Sequence, residues 1–374
     1  MRVLFAGGGT GGHLYPALAV AEALEHLTSD VAIAFIGTPD RLESRLVPQH
    51  GYPFTGIEVV GFPRRPGMAW FGFLRKLLAG TRKALSTLRE WKPDLVVGTG
   101  GYICAPAVLA ARLVGVPVAL LEQNVVPGLA NRALAHLANR VFTSFEPTAR
   151  VLPPGKAMCL GNPIRTGWRE LDRAAARERL GWSPGDRWLV VVGGSLGARV
   201  LNERIEDLLD RVLSRDDWHV LHVTGARDHA EVLERTGHRS GSGRYVPVAY
   251  HDDLPTVLVA ADLVVSRAGA TTVAELTAIG RPAVLVPFEF GGKDQPANAE
   301  TLQRAGAALV VREAHIEDLA STVHGLAGDP EALARMAEAS RALGRPDAAR
   351  DVARALLELT GDRSLNGPIE GGVS

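Results

Sequence analysis

With 374 residues, 46% of them apolar, the chain is long enough for two domains that each bury a hydrophobic core. Its 41 basic and 41 acidic side chains cancel, so the overall charge gives no reason to expect a nucleic-acid partner. Two cysteines exclude a disulfide framework, and no apolar run reaches the roughly 18 residues that cross a bilayer, so we expect a reducing compartment and no membrane-spanning helix.

The charge is unevenly distributed along the chain. Residues 1–160 carry 16 basic and 10 acidic side chains, a net charge of +6, and the remaining residues carry −6. A basic first half favours an anionic surface or an anionic substrate, although charges scattered over solvated faces would give the same counts. The imbalance alone does not choose between these interpretations.

The chain begins with a short apolar strand, residues 2–6, followed by the glycine-rich sequence G-G-G-T-G-G-H at 7–13. From Ala17 to Leu27 apolar residues recur at helical spacing. Glycines between a strand and a helix permit a tight turn and let a ligand approach the backbone closely. The free N–H groups at the start of the helix favour an anion, and His13 adds an ionisable ring. We therefore predict a ligand site at this turn.

The same turn also fits the G-x-G-x-x-G fingerprint of dinucleotide-binding proteins, at Gly7, Gly9 and Gly12. Those proteins need an acidic residue at the end of the second strand to bind the ribose. Here the second strand, residues 31–36, is followed by G-T-P, and the first acid, Asp40, comes only after the proline. The sequence therefore argues against a nicotinamide cofactor.

Strands alternate with helices in the first half, which predicts an α/β fold with a parallel sheet covered on both faces. Ligands of such sheets bind beyond the carboxyl ends of the strands. Two further loops follow strands there, G-T-G-G-Y at 98–102 and E-Q-N at 122–124, and we expect them to lie beside the first glycine turn. The predicted strands are residues 2–6, 31–36, 54–59, 94–97, 116–121 and 140–143.

Residues 70–78, from Trp70 to Leu78, combine bulky apolar side chains with Arg75 and Lys76, and more basic residues follow. A helix of this composition is typical of attachment to anionic lipid. A helix that packs its apolar face into the core and exposes its basic face would look the same. Taken alone, the segment favours the second interpretation, whereas a lipid-linked substrate would favour the first.

The alternation restarts after G-N-P-I-R at 161–165, which we interpret as the start of a second domain. A strand at 188–192 leads into a second glycine turn, G-G-S-L-G-A-R at 193–199, which is followed by a predicted helix through Leu213. A strand at 263–266 leads into a helix that carries Glu275. Further strands are predicted at 220–223, 244–248, 283–286 and 308–311, and helical patterns fill 316–360. We predict an N-terminal domain at 1–160, a C-terminal domain at 161–345, a closing helix at 346–360 and a disordered tail at 361–374.

Seven motifs follow one another in an order typical of one family: G-G-T-G-G-H-x-x-P at 8–16, G-G-Y at 100–102, E-Q-N at 122–124, G-N-P-x-R at 161–165, G-G-S-x-G-A at 193–198, R-x-G-A-x-T at 267–272 and Q-x-x-N-A at 295–299. Through them the chain resembles the MurG family over about residues 3–311. These bacterial transferases move N-acetylglucosamine (GlcNAc) from UDP-GlcNAc onto undecaprenyl-pyrophosphoryl-MurNAc-pentapeptide, the step from lipid I to lipid II in peptidoglycan synthesis. The resemblance implies the GT-B fold: two Rossmann-like, doubly wound domains that face each other across a cleft.

The resemblance also implies roles for residues of the first half. Thr10, Gly11 and Gly12 would face the sugar and phosphates of the donor, and Asn124 would contact the GlcNAc hydroxyls. Tyr102 would position the acceptor.

Donor binding would fall mainly to the second half. The resemblance implies nucleotide or phosphate contacts for Arg165 and Ser195, a main-chain contact to uracil at His251, and a nucleotide or sugar contact at Gln295. Ribose hydroxyls would be bound by Glu275. The diphosphate and ribose would be lined by Ala270, Thr271, Thr272, Val273, Ala274 and Glu275.

Three residues depart from the family pattern. Leu196 replaces a common glutamine of the second glycine turn, which removes one polar contact to the donor. Asp294 stands where a second glutamine often occurs, and Cys104 occupies a position that is usually small. None of them removes a principal motif residue.

The implied reaction inverts the sugar centre, and the C4 hydroxyl of MurNAc loses a proton as UDP leaves. A histidine suits proton transfer near neutral pH, so His13 is our first candidate for the general base and Glu122 the second. A capping or phosphate-contacting role for His13 remains equally open. The departing diphosphate needs preorganised positive potential, which helix starts near 195–199 and 270–273 and Arg165 would supply.

We expect neither a metal nor another cofactor, because no carboxylate motif for a metal is visible. The acidic pairs Asp216-Asp217 and Asp252-Asp253 are interpreted as turn or helix-start residues. The implied partners are UDP-GlcNAc, the lipid-linked MurNAc-pentapeptide and anionic inner-leaflet lipid at residues 70–78, with a peripheral location on the cytoplasmic face of the plasma membrane. Two alternatives remain open: a UDP-sugar 2-epimerase of the same fold, and a non-catalytic sensor of the lipid-linked precursor.

Overall fold

A computed structural model describes residues 1–61, 63, 67–165, 171–194, 197–290 and 294–361. The described residues form two compact units: those within Met1–Arg165 and Asp347–Ser374 form one, and those within Thr166–Pro346 form the other. None of the helices within these ranges has both the length and the apolar character to cross a bilayer. Apart from Gly361, the tail predicted at 361–374 lies outside the described residues.

The described part of the first unit contains a parallel sheet of seven strands in the order β3-β2-β1-β4-β5-β6-β7. The order reverses its direction between β1 and β4, which is where doubly wound sheets bind ligands. The strands are β1 (Arg2–Ala6), β2 (Ala32–Gly37), β3 (Phe54–Gly56), β4 (Leu95–Gly98), β5 (Val118–Glu122), β6 (Arg140–Thr143) and β7 (Ala157–Cys159). The helices are α1 (Gly11–Leu27), α2 (Leu42–Gln49), α3 (Ala69–Trp91), α4 (Cys104–Val114), α5 (Leu129–Leu134) and α6 (Glu146–Arg150).

Both faces of this sheet are buried, which explains why β1 is continuously apolar. Successive side chains of a strand point to opposite faces. Val3 and Phe5 accordingly join a core that includes Leu18 of α1, whereas Leu4 joins a second core that includes Val108 of α4. The loops at the carboxyl ends of the strands therefore extend from a frame that is packed on both sides.

The last described helix belongs to the first unit. Helix α16 (Ala348–Leu359) packs against α1, and its Val352, Leu356 and Leu357 join the core that contains Val3. Burying a leucine or valine side chain stabilises a fold by about 1.5–3 kcal/mol. The N-terminal sheet therefore depends on a segment that follows the whole second unit in the chain.

The described part of the second unit repeats the plan with a parallel sheet of six strands in the order β10-β9-β8-β11-β12-β13, and here the order reverses between β8 and β11. The strands are β8 (Arg187–Val192), β9 (Trp218–Val223), β10 (Tyr245–Val248), β11 (Leu263–Ser266), β12 (Ala283–Leu285) and β13 (Ala308–Val310). The helices are α7 (Arg173–Leu180), α8 (Arg199–Glu203), α9 (Ile205–Val212), α10 (His229–Thr236), α11 (Leu254–Ala260), α12 (Ala270–Ala278), α13 (Asp294–Arg304), α14 (Leu319–Ala327) and α15 (Pro330–Leu343).

The structure confirms every strand predicted from the sequence and corrects three details. Strand β7 was not predicted, because its three residues, A-M-C, are too short a run to indicate a strand by themselves. Helix α1 begins at Gly11, inside the glycine turn. The periodicity of apolar residues could not show this first turn, because glycine has a low helix propensity and no side chain. The helix predicted through residue 213 is broken at Arg204, where φ is −100° and ψ is 4°, into α8 and α9.

Candidate active site

His13 lies in the first turn of α1, next to the glycine loop that follows β4. A Cβ at Gly100 would come within 2.5 Å of Nδ1 of the ring, and the φ of +107° at this position also favours glycine. Nδ1 lies 3.2 Å from Oε1 of Gln123, whose Nε2 donates to the carbonyl of Thr99 at 2.9 Å. Because the amide oxygen faces the ring, Nδ1 carries the proton and Nε2 keeps its lone pair. Gln123 thus fixes the orientation of the ring and, in the neutral form, leaves Nε2 as its acceptor nitrogen.

Glu122, the second candidate base, is engaged by the loop that follows β5. Oε1 accepts from the N–H of Asn124 at 3.0 Å, and Oε2 accepts from the N–H of Gly128 at 3.0 Å and from Nδ2 of Asn131 at 2.9 Å. Burial is the largest influence on this carboxyl and raises its pKa, against the effect of the three donors. In this geometry Glu122 holds the loop in place.

Other predicted residues of the first unit follow β1, β4 and β5, which are neighbours in the sheet. Thr10 is the N-cap of α1, but its hydroxyl makes no capping hydrogen bond within the described chain. Gly11 is partly exposed, and Gly12 and Tyr102 are exposed. Asn124 is partly exposed, and its carbonyl accepts from a threonine hydroxyl of α6 at 3.0 Å. The carboxyl edge of the sheet therefore carries these residues together with His13.

Arg165 is exposed and belongs to the first unit. Its guanidinium carbon lies 5.5 Å from the centroid of the Tyr15 ring in α1, a cation–π contact. In the same motif, neither Nδ2 nor Oδ1 of the buried Asn162 has a hydrogen-bond partner among the described residues. The motif that was predicted to open the second domain is thus packed on the first helix.

The second glycine turn follows β8. The N–H of Gly197 donates to the carbonyl of Gly194 at 3.0 Å, and a Cβ at Gly193 would overlap the backbone of Ala198. Helix α8 then begins at Arg199. Ser195 and Leu196 lie outside the described residues, so the donor contact assigned to Ser195 stays a prediction.

Helix α12 begins directly after β11 with Gly269 as its N-cap. The first N–H groups of a helix have no intrahelical partner, and they favour an anion. The first turn of α12 therefore suits a phosphate. Of the predicted ligand residues, Thr271, Thr272, Ala274 and Glu275 are partly exposed, and Ala270 and Val273 are buried.

His251 lies in the loop between β10 and α11. Its Nδ1 is buried and has no hydrogen-bond partner among the described residues. Asp253, two residues on, is the N-cap of α11 and accepts from the N–H of Thr256 at 3.4 Å, which confirms its interpretation as a helix-start residue. Within the described ranges, no group of three or more His, Cys, Asp or Glu side chains is placed to hold a metal ion.

Gln295 joins two loops at the carboxyl edge of the second sheet. Its Oε1 accepts from the N–H of Ala268, after β11, at 3.3 Å and from the N–H of Phe288, after β12, at 2.9 Å. A ligand contact through this side chain would have to use its amide nitrogen, because the oxygen already serves the backbone.

Arg267 is part of a family motif, but its side chain is mostly buried. Its guanidinium lies 2.6 Å from Glu313, donates to the carbonyl of Val286 at 3.1 Å and lies over the ring of Phe288. Arg267 therefore fixes the loops that follow β11 and β12, and Glu313 neutralises its charge.

A buried polar network supports the loop that follows β9. His222 is almost fully buried; its Nε2 lies 3.0 Å from Oδ1 of Asn202, and its Nδ1 lies 3.2 Å from the hydroxyl of Tyr245. Asn202 donates from Nδ2 to the carbonyl of Thr224 at 3.0 Å. Burial lowers the pKa of His222 to about 3, with smaller contributions from nearby positive groups.

We expect this histidine to make the second unit acid-sensitive. Below the unfolded pKa of about 6.5, the unfolded chain binds a proton that the folded chain excludes, so stability falls as the pH drops. With a folded pKa of about 3, the free energy of unfolding should decrease by about 2 kcal/mol between pH 7.5 and pH 5. Urea unfolding of wild type and His222→Gln at both pH values checks this. An equal pH dependence in the two proteins would contradict it.

Two family models match the chain: the glycosyltransferase family 28 N-terminal domain over residues 3–143 and the corresponding C-terminal domain over residues 188–352. A curated relative from Salinibacter ruber is 42% identical over 366 residues, which cover 96% of each chain. It is named UDP-N-acetylglucosamine–N-acetylmuramyl-(pentapeptide) pyrophosphoryl-undecaprenol N-acetylglucosamine transferase. The crystal structure of Acinetobacter baumannii MurG matches with a TM-score of 0.76 at 28% identity, over 96% of this chain and 99% of the other. The chain belongs to the MurG family.

A second relative of this family, from Listeria monocytogenes, carries the same name and is 38% identical over 96% of this chain and 99% of its own. The predicted family is therefore confirmed. The two parallel sheets and the likeness to MurG also confirm the predicted GT-B fold of two Rossmann-like domains.

The fold extends beyond the MurG family. A Listeria monocytogenes structure described as a putative UDP-N-acetylglucosamine 2-epimerase matches with a TM-score of 0.70, but at only 17% identity, and it covers 97% of each chain. This likeness shows the fold alone.

Two side chains of this MurG-family chain have site contacts that the sequence analysis missed. Gln123 belongs to a family motif, but its contact with His13, 110 positions away along the chain, has no signal in the sequence. Sγ of Cys104 accepts from the N–H of Gly100 at 3.0 Å and also lies 3.0 Å from the carbonyl of Ala6. Burial raises the pKa of this thiol to about 12, so the thiol stays protonated. Its two contacts link the loop at 98–102 to β1.

Proposed function

We propose that the protein transfers GlcNAc from UDP-GlcNAc to the C4 hydroxyl of MurNAc in undecaprenyl-pyrophosphoryl-MurNAc-pentapeptide. The observation that carries this proposal is the 42% identity, over 96% of both chains, to a relative named for that transfer. The epimerases share only the fold at 17% identity or less, and the transferase is therefore the better supported of the two functions. A sensor without activity is disfavoured, because His13 and the residues that orient it are present.

The chemistry divides between the loops of the two units. UDP leaves with developing negative charge, and fixed N–H donors stabilise such charge best when they are in place beforehand. The start of α12 supplies them in the second unit, and the loops that flank it are tied together by Gln295 and Arg267. We assign the donor diphosphate and ribose to this helix start, with Glu275 on the ribose. For Arg165, in the first unit, we keep the nucleotide or phosphate contact that the family resemblance implies.

We assign the general base to His13. Gln123 keeps the proton on Nδ1, which leaves Nε2 to accept the proton of the attacking hydroxyl. Glu122 is a weaker candidate, since three donors already bind its carboxylate. In this assignment Glu122 keeps Asn124 in place for the sugar, and Tyr102 positions the acceptor.

The direct test is to incubate the purified protein with labelled UDP-GlcNAc and a lipid-linked MurNAc-pentapeptide. We expect label in the lipid-linked product, and the same rate after EDTA treatment, because no metal is required in this proposal. Incubation with donor alone should leave UDP-GlcNAc unchanged. Release of a 2-epimer in that reaction would support the epimerase instead, and loss of activity with EDTA would refute metal independence.

We also propose that α3 attaches the protein to anionic lipid on the cytoplasmic face of the plasma membrane. Phe71, Leu74 and Leu78 are 79%, 48% and 59% exposed, and they recur at the spacing of one helical face. Arg75 and Arg82 are exposed on the same helix. Apolar side chains flanked by basic ones are typical of an interfacial helix.

The other face of α3 is the one that packs into the protein. Its buried residues are Gly80, Ala84 and Leu88, and it packs against α4. A Cβ at Gly80 would lie 3.1 Å from Ile57, so this contact is close. The bulky apolar residues near the start of α3 are thus not needed for the core, and this supports a peripheral membrane protein.

A further inference from the structure

Glu43 is a buried carboxylate in the first turn of α2, and the mechanism above does not use it. It is 1% exposed. Oε1 accepts from the N–H of Thr38 at 2.9 Å and from the N–H of Gly9 at 3.1 Å, and Oε2 accepts from the N–H of Gly9 at 3.0 Å. Its hydrogen bonds within the described chain are thus all from main-chain donors. A buried charge must be satisfied by such donors to be tolerated.

Two loops leave room for this one side chain. A Cβ at Gly8 would overlap the carboxyl group of Glu43, and a Cβ at Gly37 would come within 2.5 Å of its Cγ. Gly8 also has a φ of +147°, which a larger residue would rarely adopt. The side chain of Glu43 therefore fits between the two loops only because Gly8, after β1, and Gly37, at the end of β2, have no side chains.

The residues held by Glu43 lead directly to His13. Gly9 is followed by Thr10, the N-cap of α1, whose carbonyl accepts from the N–H of His13 at 3.2 Å. A Cβ placed at Gly101 would lie 3.1 Å from the carbonyl oxygen of Gly8, so the loop at 98–102 packs against the glycine turn at 7–13. Movement of Gly8 and Gly9 would therefore displace both loops around the ring.

The carboxylate also uses a hydrogen-bond donor that glycine turns commonly offer to a ligand. In dinucleotide-binding domains the N–H groups of this turn face a phosphate. Here the N–H of Gly9 is bound from within the protein by Glu43. The turn is thus held by an internal anion and does not depend on a ligand for its shape.

We propose that Glu43 is a positioning residue for the transfer reaction, holding the first glycine loop so that Nε2 of His13 meets the acceptor hydroxyl. The inference rests on the proposed function. It predicts a much larger effect on turnover than on the Kd of UDP-GlcNAc, because the donor contacts assigned to α12 lie in the other unit and only those of Thr10, Gly11 and Gly12 belong to the turn that Glu43 holds. A misplacement of a catalytic group by about 1 Å can cost on the order of 100-fold in rate.

Two variants of equal length separate the hydrogen bonds from the size of the side chain. In Glu43→Gln, one amide oxygen in the place of Oε1 still reaches the N–H groups of Thr38 and Gly9, so kcat should stay within about five-fold of wild type. In Glu43→Met both donors lose their acceptor, and kcat should fall by about 30- to 100-fold. The Kd of UDP-GlcNAc, measured by calorimetry, should rise by less than about three-fold in both, because α12 keeps its assigned donor contacts. Should Glu43→Met fail to fold, Glu43→Asp takes its place, since it withdraws the carboxylate by one methylene.

A double-mutant cycle distinguishes positioning from a general loss of stability. In a His13→Asn background, Glu43→Met should lower the remaining rate by less than about three-fold, because there is no base left to position. Glu25→Gln serves as the control: it removes an exposed carboxylate of α1 that accepts from the Tyr52 hydroxyl, and kcat should not change. A folded Glu43→Met enzyme with wild-type kcat, or one with the same fold-loss in both backgrounds, would overturn the proposal.

Hydrogen exchange provides a readout that needs no substrate. The backbone amides of residues 8–10 should exchange faster in Glu43→Met than in wild type, and at nearly the wild-type rate in Glu43→Gln. If the wild-type protein does not glycosylate the lipid-linked acceptor, the proposed function is wrong. If amide exchange at residues 8–10 is unchanged in Glu43→Met, Glu43 does not hold the glycine turn, and the present proposal is wrong.

Discussion

Replacing His13 with alanine should lower kcat for GlcNAc transfer by about 10²- to 10⁴-fold, the usual contribution of a general base. The Kd of UDP-GlcNAc should change by less than about two-fold, because the interaction removed is made in the transition state. The physical reason is the hydrogen bond from Nδ1 to Gln123, which leaves Nε2 as the acceptor of the proton. Steady-state kinetics with the lipid-linked acceptor and calorimetry with the donor measure the two quantities.

His26→Ala is a matched control, because His26 is exposed in the last turn of the same helix. It should keep wild-type kcat. Near-normal turnover of His13→Ala would remove His13 from the role of base and would return the assignment to Glu122. A large rise in the Kd of the donor with little loss of kcat would instead indicate that His13 contacts a phosphate.

Changing Phe71 and Leu74 to aspartate should weaken binding to vesicles that contain anionic lipid by at least about 100-fold. Two apolar side chains that enter the interface contribute about 1.5 kcal/mol or more each, and each new negative charge is repelled by about 1 kcal/mol. The fold should survive, because both side chains are exposed in the free protein. Vesicle sedimentation at low and high salt measures the change, and salt should weaken the binding of wild type.

The control for this experiment adds the same charge elsewhere. Phe290 and Leu233 are apolar residues of the second unit that are 87% and 38% exposed, and changing both to aspartate should leave vesicle binding intact. Equal losses in the two double variants would mean that net charge alone governs attachment. Unchanged binding after the Phe71 and Leu74 substitutions would show that α3 is not the lipid contact.

Periodicity of the sequence predicted the strands well because both sheets are parallel and buried on both faces. Strands such as β1 and β11 are continuous apolar runs that lead into glycine-containing turns, and that signal is local. The start of α1 and the strand β7 were missed for the opposite reason. Glycines 11 and 12 lack a helical preference, and β7 owes its conformation to pairing with β6.

By itself, the sequence determined the fold class, the order of the strands along the chain and the family, because each of these depends on local patterns and ordered motifs. It also predicted which residues bear the chemistry. Only the tertiary structure decided what those residues contact. Gln123 meets His13, Glu43 binds Gly9, and Arg267 pairs with Glu313. The two residues are 110 positions apart along the chain in the first pair, 34 in the second and 46 in the third. Local sequence patterns do not predict such distant contacts. The contacts form only when the parallel strands bring the loops at their carboxyl ends together.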